Sequence, residues 1–205
     1  MATAVALGGD VTNLGAETYA ASMPYRARVE ITGCADILLH RWSCDAVEAK
    51  SKAAKGSKAK KSDDLESYVY RNEDGEICLP GEYLRQSIMA AAKFRQDPRS
   101  PRKSARDLVS AALIPLTNLA SLGKLTWDYE DRRRVRVQQN AITRVRPAIR
   151  MGWTVEVDFM VTLPEYVSVE MLQGMVVDAG RLIGVGDFRP TFGRFNMTGF
   201  EMIDS

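Results

Sequence analysis

Residues 171–195, MLQGMVVDAGRLIGVGDFRPTFGRF, place an apolar segment directly before a loop that is rich in glycine, phenylalanine and arginine. The apolar residues recur at spacings of one, three and four, which predicts an amphipathic helix over about residues 168–181. A helix of this kind packs its apolar face on a sheet. The loop after it carries three glycines that permit sharp turns and close backbone approach, and two arginines with planar cationic heads: Gly184, Gly186, Gly193, Arg189 and Arg194. The glycines by themselves are also consistent with a helix cap followed by an ordinary turn.

The composition favours one globular domain with a substantial core, since the chain has 205 residues and 45% of them are hydrophobic. The net charge is only +2, but lysine and arginine are clustered, so local basic surfaces are expected. Three cysteines and a single histidine do not provide a usual structural zinc site, and we expect no metal and no cofactor. There is no basic leader and no apolar run of the roughly 18 residues that a membrane helix needs. We therefore expect a cytoplasmic protein with no membrane partner.

The order of the periodic segments predicts the fold. The chain reads as strand, helix, strand, strand, helix and strand, at about residues 26–33, 82–95, 111–116, 153–164, 168–181 and 194–203. This is the order of the α+β ferredoxin-like or RNA-recognition-type βαββαβ fold, in which right-handed crossovers put both helices on one side of a four-stranded antiparallel sheet.

The remaining segments define the domain organisation. Residues 1–22 are small and polar and predict a flexible N-terminal arm. Residues 23–205 form a single domain with the RNA-recognition-type core, which two basic insertions interrupt at about 43–76 and 124–151. Residues 93–106 contain two prolines and predict an irregular basic surface loop.

The first insertion carries a lysine-rich loop. Residues 50–61 hold six lysines and no acid, a composition that stays solvated unless a polyanion orders it. The candidate contacts are Lys55, Lys58, Lys60 and Lys61. The residues after the loop alternate around a turn at 72–75, so the loop is an excursion from a β-hairpin in which Tyr68 and Tyr70 belong to the first strand.

The second insertion predicts a two-stranded ribbon, with QQNA near its tip and arginines along one face. Seven arginines without an acid lie between residues 132 and 150: Arg132, Arg133, Arg134, Arg136, Arg144, Arg146 and Arg150. Cations of one sign that alternate with apolar residues suit a finger that follows a phosphate backbone, whereas a merely solvated hairpin mixes the signs.

Two further clusters are candidate nucleic-acid contacts. His40, Arg41 and Trp42 end an apolar stretch with rings and a cation that can stack on bases, although a lone histidine is more often structural. The first turn of the helix at 82–95 presents Tyr83, Arg85, Gln86 and Ser87. The free N–H groups of that turn suit a phosphate, and the neighbouring acid Glu82 opposes one.

Two motifs resemble a known family. The segment GVGDFRPTFGRF at 184–195 resembles the C-terminal glycine-rich loop of the CRISPR RAMP superfamily, and EICLPGEYLRQSIMAAAKF at 76–94 resembles the strand, tight turn and basic helix that follow that family's first strand and insertion. The lysine-rich loop and the arginine ribbon resemble the thumb and finger insertions of the family's backbone subunits, which polymerise side by side along a guide RNA.

The resemblance implies a non-catalytic subunit that binds single-stranded guide RNA in an antiviral ribonucleoprotein. Its implied partners are further copies of itself in a helical filament, other effector-complex subunits, and target DNA or RNA. The turn at 83–87 and the loop at 184–193 would then lie near the RNA backbone. The chain is short for such a subunit, which suits a reduced, phage-borne relative.

Other functions remain open from the sequence. One is a metal-independent endoribonuclease of the same superfamily that processes repeat RNA, with His40 as the acid or base and Tyr83 or Lys93 as helpers. Some backbone subunits cleave target RNA with an aspartate after the first strand, where Asp36 and Asp45 lie outside any motif that matches. A single-stranded DNA-binding or annealing protein would need the same grooves and aromatic rings.

Overall fold

The computed structural model describes residues 23–41, 64–137 and 140–203. Its strands in chain order are β1 Tyr25–Gly33, β2 Ile37–Leu38, β3 Tyr70–Arg71, β4 Ile77–Pro80, β5 Gln96–Asp97, β6 Ser100–Ser104, β7 Leu113–Pro115, β8 Leu119–Ser121, β9 Tyr129–Val137, β10 Asn140–Ile149, β11 Thr154–Val161 and β12 Phe195–Ile203. Its α-helices are α1 Gly81–Ala91, α2 Arg106–Ala112 and α3 Val169–Asp178.

The central sheet is antiparallel and has the strand order β12-β1-β11-β7. Side chains along β1 alternate between the two faces of the sheet, and Ala27, Val29 and Ile31 are all fully buried. The face that carries them is therefore the one that packs on the helices. The chain passes through β1, α1, β7, β11, α3 and β12, which is the predicted order of strands and helices. The protein therefore has an α+β ferredoxin-like core.

The two long helices of this core cover one face of the sheet. Helix α1 buries Leu84 and Ile88, and α3 buries Leu172 and Met175. Ser168 caps α3, since its Oγ accepts a hydrogen bond from the backbone N–H of Met171 at 3.2 Å. The helix predicted to end near residue 181 widens instead into a π-turn over Ala179–Ile183, just before the glycine-rich loop.

The opposite face of the sheet is polar. Arg28 on β1 forms ion pairs with Glu156 at 3.2 Å and Asp158 at 2.9 Å on β11. The outward positions of β1 and β11 carry no aromatic ring. The described part of this face therefore lacks the stacking platform on which the sheets of RNA-recognition domains hold bases.

Three smaller sheets surround the core. Strands β3, β4 and β8 form one, and β2, β10 and β9 form another, which contains the predicted arginine ribbon. The turn predicted at residues 72–75 joins β3 to β4, with Gly75 at a φ of 77°. Tyr68, which the alternation assigned to a strand, lies instead in a short 3-10 turn, Glu66–Tyr68, that precedes β3.

Residues 93–106 are not irregular, as their prolines predicted. After a 3-10 turn over Ala92–Phe94, β5 and β6 form a short hairpin that pairs Gln96 with Ser104 and Asp97 with Ser100. Proline is tolerated here because both strands are edges of a two-stranded sheet, so a missing N–H breaks no second ladder.

Candidate nucleic-acid interface

The glycine-rich loop is folded by backbone contacts that exclude side chains. Val185 donates its N–H to the carbonyl of Gly193 at 2.9 Å, and Gly193 donates to the carbonyl of Asp36 at 2.7 Å. Gly193 has a φ of 69°, and a Cβ there would run into the Val185 carbonyl oxygen. The N–H of Asp187 in turn bonds the carbonyl of Leu38 at 2.9 Å. The loop is thereby fixed against β2, at the base of the ribbon strand β10.

A buried ion pair joins the ribbon to this loop. The Nε of Arg146 donates to Oδ2 of Asp187 at 2.6 Å, and the Arg146 side chain is only 3% exposed. Nδ1 of His40 lies 3.8 Å from the same carboxylate oxygen. Burial of Asp187 opposes its ionisation, but the hydrogen bond and charge of Arg146 keep its pKa below the ordinary value.

Aromatic rings surround the two arginines that face the loop. The Arg146 guanidinium lies 5.6 Å from the Tyr68 ring centroid and 5.9 Å from that of Phe188. Arg133 lies 4.2 Å from the centroid of Phe192. These distances allow cation–π contacts, so the base of the ribbon packs on the loop through rings as well as through the ion pair.

Two adjoining cavities form one groove between α1 and the glycine-rich loop. The first, of about 260 Å³, is lined by His40, Tyr83, Gln86, Gly186, Asp187 and Arg189. The second, of about 530 Å³, shares Gly186, Asp187 and Arg189 with it. It extends along α1 to Ala90 and is also lined by Leu182 of the π-turn. His40, Tyr83, Gln86, Gly186 and Arg189 were predicted from separate segments, and the fold brings them together here.

Two exposed cations and a pair of packed aromatic rings lie at the mouth of the groove. Arg189 is exposed and forms no ion pair within the described residues. Arg41 is also exposed and lies 5.0 Å from the centroid of the Tyr70 ring, which meets the Tyr83 ring edge to face. Burial raises the pKa of the Tyr83 phenol, so this group is a neutral hydrogen-bond donor at physiological pH.

Two residues predicted to contact nucleic acid in the first turn of α1 hold the scaffold instead. Ser87 is fully buried and its Oγ donates to the carbonyl of Gly184 at 2.8 Å. Arg85 donates through Nε to the carbonyl of Leu113 and through Nη2 to that of Ser110, each at 2.7 Å. The helix period explains this, since only some residues of one turn can face the groove.

The arginines of the ribbon do not share one face, as the alternation had predicted. Arg132, Arg133 and Arg134 are consecutive in β9, so their side chains point to alternate faces. Arg132 pairs with Glu130 at 3.0 Å and Arg133 with Asp131 at 2.6 Å. Two acids just outside the all-basic stretch thus neutralise two of its cations.

The other arginines of the prediction differ in their surroundings. Arg134 is exposed and Arg144 half-exposed, and neither forms an ion pair in the described part of the chain. Arg150 is exposed and lies 5.7 Å from the Tyr129 ring centroid. The exposed Arg194 uses its backbone carbonyl, which accepts from the N–H groups of Cys34 and Ala35.

Several predicted contacts lie outside the described residues, namely Trp42, Lys55, Lys58, Lys60, Lys61 and the side chain of Arg136. They stay predictions. The described flanks of the lysine-rich insertion are close to each other, because Arg41 donates its N–H to the carbonyl of Tyr68 at 2.9 Å. That hydrogen bond lies beside the His40 ring, which is 4.9 Å from the Tyr68 ring.

Sequence reasoning missed Asp187 and the rings that surround the arginines. Asp187 is the only acid in the motif at 184–195, and an isolated acid within a basic loop is a signal that a buried cation needs a partner. Tyr68 and Phe188 carried no such signal, because their partner Arg146 is far away in the sequence and is identified only by the fold.

Asp36, the described one of the two aspartates that follow the first strand, is fully used in the scaffold. Its Oδ2 accepts from the Tyr129 hydroxyl at 2.7 Å and its Oδ1 from the N–H of Met151 at 2.8 Å. Asp45 lies outside the described residues. No three histidine, cysteine, aspartate or glutamate side chains in the described ranges cluster as a metal site would require. None of the described helices has the length and apolar character to cross a membrane.

Comparisons with known proteins agree with this architecture. No protein-family model matches the chain, and no curated protein matches its sequence. Among solved structures, the fold is similar to a chain in the cryo-EM structure of the Type III-B Cmr-beta bound to cognate target RNA, with a TM-score of 0.53 and 9% sequence identity. The match covers 92% of this chain but only 63% of that chain. At this identity the likeness concerns the fold alone.

Proposed function

We propose that this protein binds single-stranded RNA as a non-catalytic backbone subunit of a CRISPR-type ribonucleoprotein in the cytoplasm. In this proposal copies of the domain at 23–205, which carries the two basic insertions at about 43–76 and 124–151, line up along a guide RNA as a helical filament. Its other partners are effector-complex subunits and target RNA or DNA. The N-terminal arm at 1–22 and a phage-borne origin belong to the same proposal.

One observation carries the proposal above the others. The groove collects a cation, Arg189, with aromatic and amide side chains from three segments of the chain, and a second exposed cation, Arg41, covers the Tyr70 ring near its mouth. Single strands are held in this way, by cations that follow the phosphates and by rings on which bases stack. The fold shared with a chain of an RNA-bound CRISPR complex supports the same reading.

The groove is tested by removing its two exposed cations. We expect Arg41→Gln and Arg189→Gln each to weaken binding of a labelled single-stranded RNA, and to make the dependence of affinity on salt shallower by about 0.7 per lost phosphate contact. The matched control is Arg26→Gln, which removes the same charge from the polar face of the sheet. Fluorescence anisotropy over a salt series measures both quantities.

The outcomes separate the alternatives. Equal losses for every RNA sequence identify phosphate contacts, whereas a sequence-selective loss identifies base reading. Tighter binding of oligothymidylate than of oligouridylate would favour the single-stranded DNA-binding or annealing protein. Binding by the groove variants that equals binding by Arg26→Gln would contradict the proposed site.

The geometry favours one second candidate, a metal-independent endoribonuclease. His40 lies beside the Asp187 carboxylate, and its carbonyl accepts from the Tyr83 hydroxyl at 3.5 Å, so a titratable ring, a phenol and Arg189 border one cavity. A histidine in this position can take a proton from a 2'-hydroxyl. The His40 imidazole also packs against the Tyr68 ring, which indicates a structural role and is the observation against the nuclease.

Incubating repeat-like RNA with the wild-type protein and with His40→Ala decides between the two functions. We expect no cleavage by either protein. Cleavage by the wild type that His40→Ala abolishes, and that Arg26→Gln retains, would establish the nuclease and displace the non-catalytic proposal.

A further inference from the structure

The side of α1 that lines the groove continues past the second cavity into the turn after the helix. Tyr83 and Gln86 line the first cavity and Ala90 lines the second, so these residues mark the side of α1 that faces the groove. Their spacing of three and then four continues to Lys93 and Phe94, in the 3-10 turn that extends the helix. Lys93 is exposed, and Phe94 is 68% exposed, which is unusual for so large an apolar ring.

The hairpin of β5 and β6 begins directly after this turn. Residues 93–107 contain six cationic side chains and two carboxylates. Arg95 pairs with Asp178 on α3 at 2.7 Å, which fixes the base of the hairpin. Arg99 pairs at 2.8 Å with Asp97, whose side chain is only 4% exposed. The first carboxylate of this segment is therefore already used inside the hairpin.

Of the four remaining cations, Arg106 begins α2, and the other three lie on the surface near the end of α1. Ser104 pairs with Gln96 and Ser100 with Asp97, so Arg102 and Lys103 lie in the bulge of β6 opposite the start of β5, which follows Phe94 by two residues. Both side chains are exposed. Within the part of the chain that the structure describes, Lys93, Arg102 and Lys103 form no ion pair. The other carboxylate of the segment, Asp107, is exposed in the first turn of α2.

We propose that Lys93, Phe94, Arg102 and Lys103 form a second contact for the single-stranded nucleic acid, at the far end of the groove from His40. The cations would meet phosphates and Phe94 would stack on a base. An exposed ring among unpaired cations is the combination by which single strands are bound. Continuity with the groove favours the same strand over a separate protein partner. This inference rests on the proposed function, because the strand must already occupy the groove.

The test compares strands of two lengths. A labelled oligouridylate of about 4 nucleotides fills one end of the groove, and one of about 16 nucleotides can reach both contacts. For the longer strand we expect Phe94→Ala to weaken binding roughly fivefold or more. Lys93→Gln and Lys103→Gln should each make the salt dependence shallower by about 0.7. The shorter strand, held near Arg189, should bind these variants as it binds the wild type.

Two matched controls lie away from the groove, one on the polar face of the sheet and one on its edge strand β12. Arg26→Gln removes one exposed cation, and Met202→Ala removes an exposed apolar side chain on β12 that is 46% exposed. Neither should change the affinity for the longer strand. Unchanged urea midpoints for all variants are expected as well, because every substituted side chain is exposed.

Each outcome bears on one proposal or both. A wild-type protein that binds neither strand overturns the proposed function and this contact with it. Normal wild-type binding, together with variants that behave like Arg26→Gln and Met202→Ala, overturns only the second contact. Equal losses on both strand lengths also overturn it, since they would assign these residues to the first cavity.

Discussion

The Asp187 carboxylate accepts a hydrogen bond from the Arg146 guanidinium at 2.6 Å and lies 3.8 Å from the His40 ring. It therefore neutralises Arg146, the one buried arginine among the described side chains of the ribbon, and leaves Arg189, two residues further along the loop, exposed at the groove. Because Asp187 pairs with Arg146 and not with Arg189, Arg146 is a structural cation and Arg189 is available to a ligand.

Replacing this carboxylate should destabilise the fold. Asp187→Asn leaves Arg146 buried without its counter-ion, and we expect a loss of about 3 kcal/mol, near the low end for a buried pair because Asp187 is partly exposed. The control Glu130→Gln breaks the exposed pair with Arg132 and should cost less than about 1 kcal/mol. Urea denaturation measures both. Equal stability of the two variants would contradict the structural role of the buried pair.

The same pair predicts a dependence on pH. Arg146 keeps the folded-state pKa of Asp187 below its ordinary value of about 4 despite burial of the carboxylate. The unfolded chain then binds more protons than the folded one as the pH falls. The contribution of Asp187 is present above about pH 4 and is lost as the pH falls through the folded-state pKa. Urea midpoints of the wild type and Asp187→Asn should therefore converge at acidic pH, and a constant difference down to pH 2 would contradict this assignment.

Residue identity alone could not separate these roles. Arg146 and Arg134 belong to the same basic stretch, yet one is buried on an acid of the glycine-rich loop and the other is exposed. Ser87 was likewise grouped with Gln86, although only Gln86 lines the groove. In each case the deciding partner is distant in the chain, so no local pattern contains it.

At the scale of elements, local periodicity predicted the order of the core strands and helices. The strand predicted at 111–116 is only Leu113–Pro115, because Ala111 and Ala112 end helix α2, which was not predicted. The alternation of Ala27, Val29 and Ile31 identified β1, and the apolar spacing after Ser168 identified α3. The β5–β6 hairpin was missed because Pro98 and Pro101 indicate a break, and its ladder depends on Gln96 and Ser104. The glycine-rich loop was located correctly. Its glycines are required because the backbones of β2 and of the loop itself approach them closely.

A substitution in this loop tests that reason. Gly193→Ala requires a side chain at a positive φ and puts its Cβ against the Val185 carbonyl, so we expect a loss of more than about 3 kcal/mol. Gly123 has a similar φ of 65° with open space around it, and Gly123→Ala should cost only about 1 kcal/mol. Thermal unfolding compares the two variants. Equal losses would mean that the positive φ alone, and not the close approach of the Val185 carbonyl, requires a glycine at position 193.

At the scale of the molecule, charge is distributed by face. The polar side of the sheet balances Arg28 against Glu156 and Asp158. Unpaired cations occur on the helical side, at Arg189 and along the extension of α1 to Lys93. A protein with a net charge of +2 can in this way present several exposed cations on one side to a polyanion.

The proposed filament can be measured by mass. A head-to-tail contact that does not close adds protomers without limit, so the number bound should rise with strand length. Mass photometry of the protein with single-stranded RNAs of increasing length should show steps of 22.7 kDa per added protomer. Duplex RNA of equal length is the control, since paired bases cannot stack on rings in the groove. Electron micrographs of the longest complexes should show arcs or helices. One protomer per strand at every length would contradict the filament while leaving single-strand binding intact.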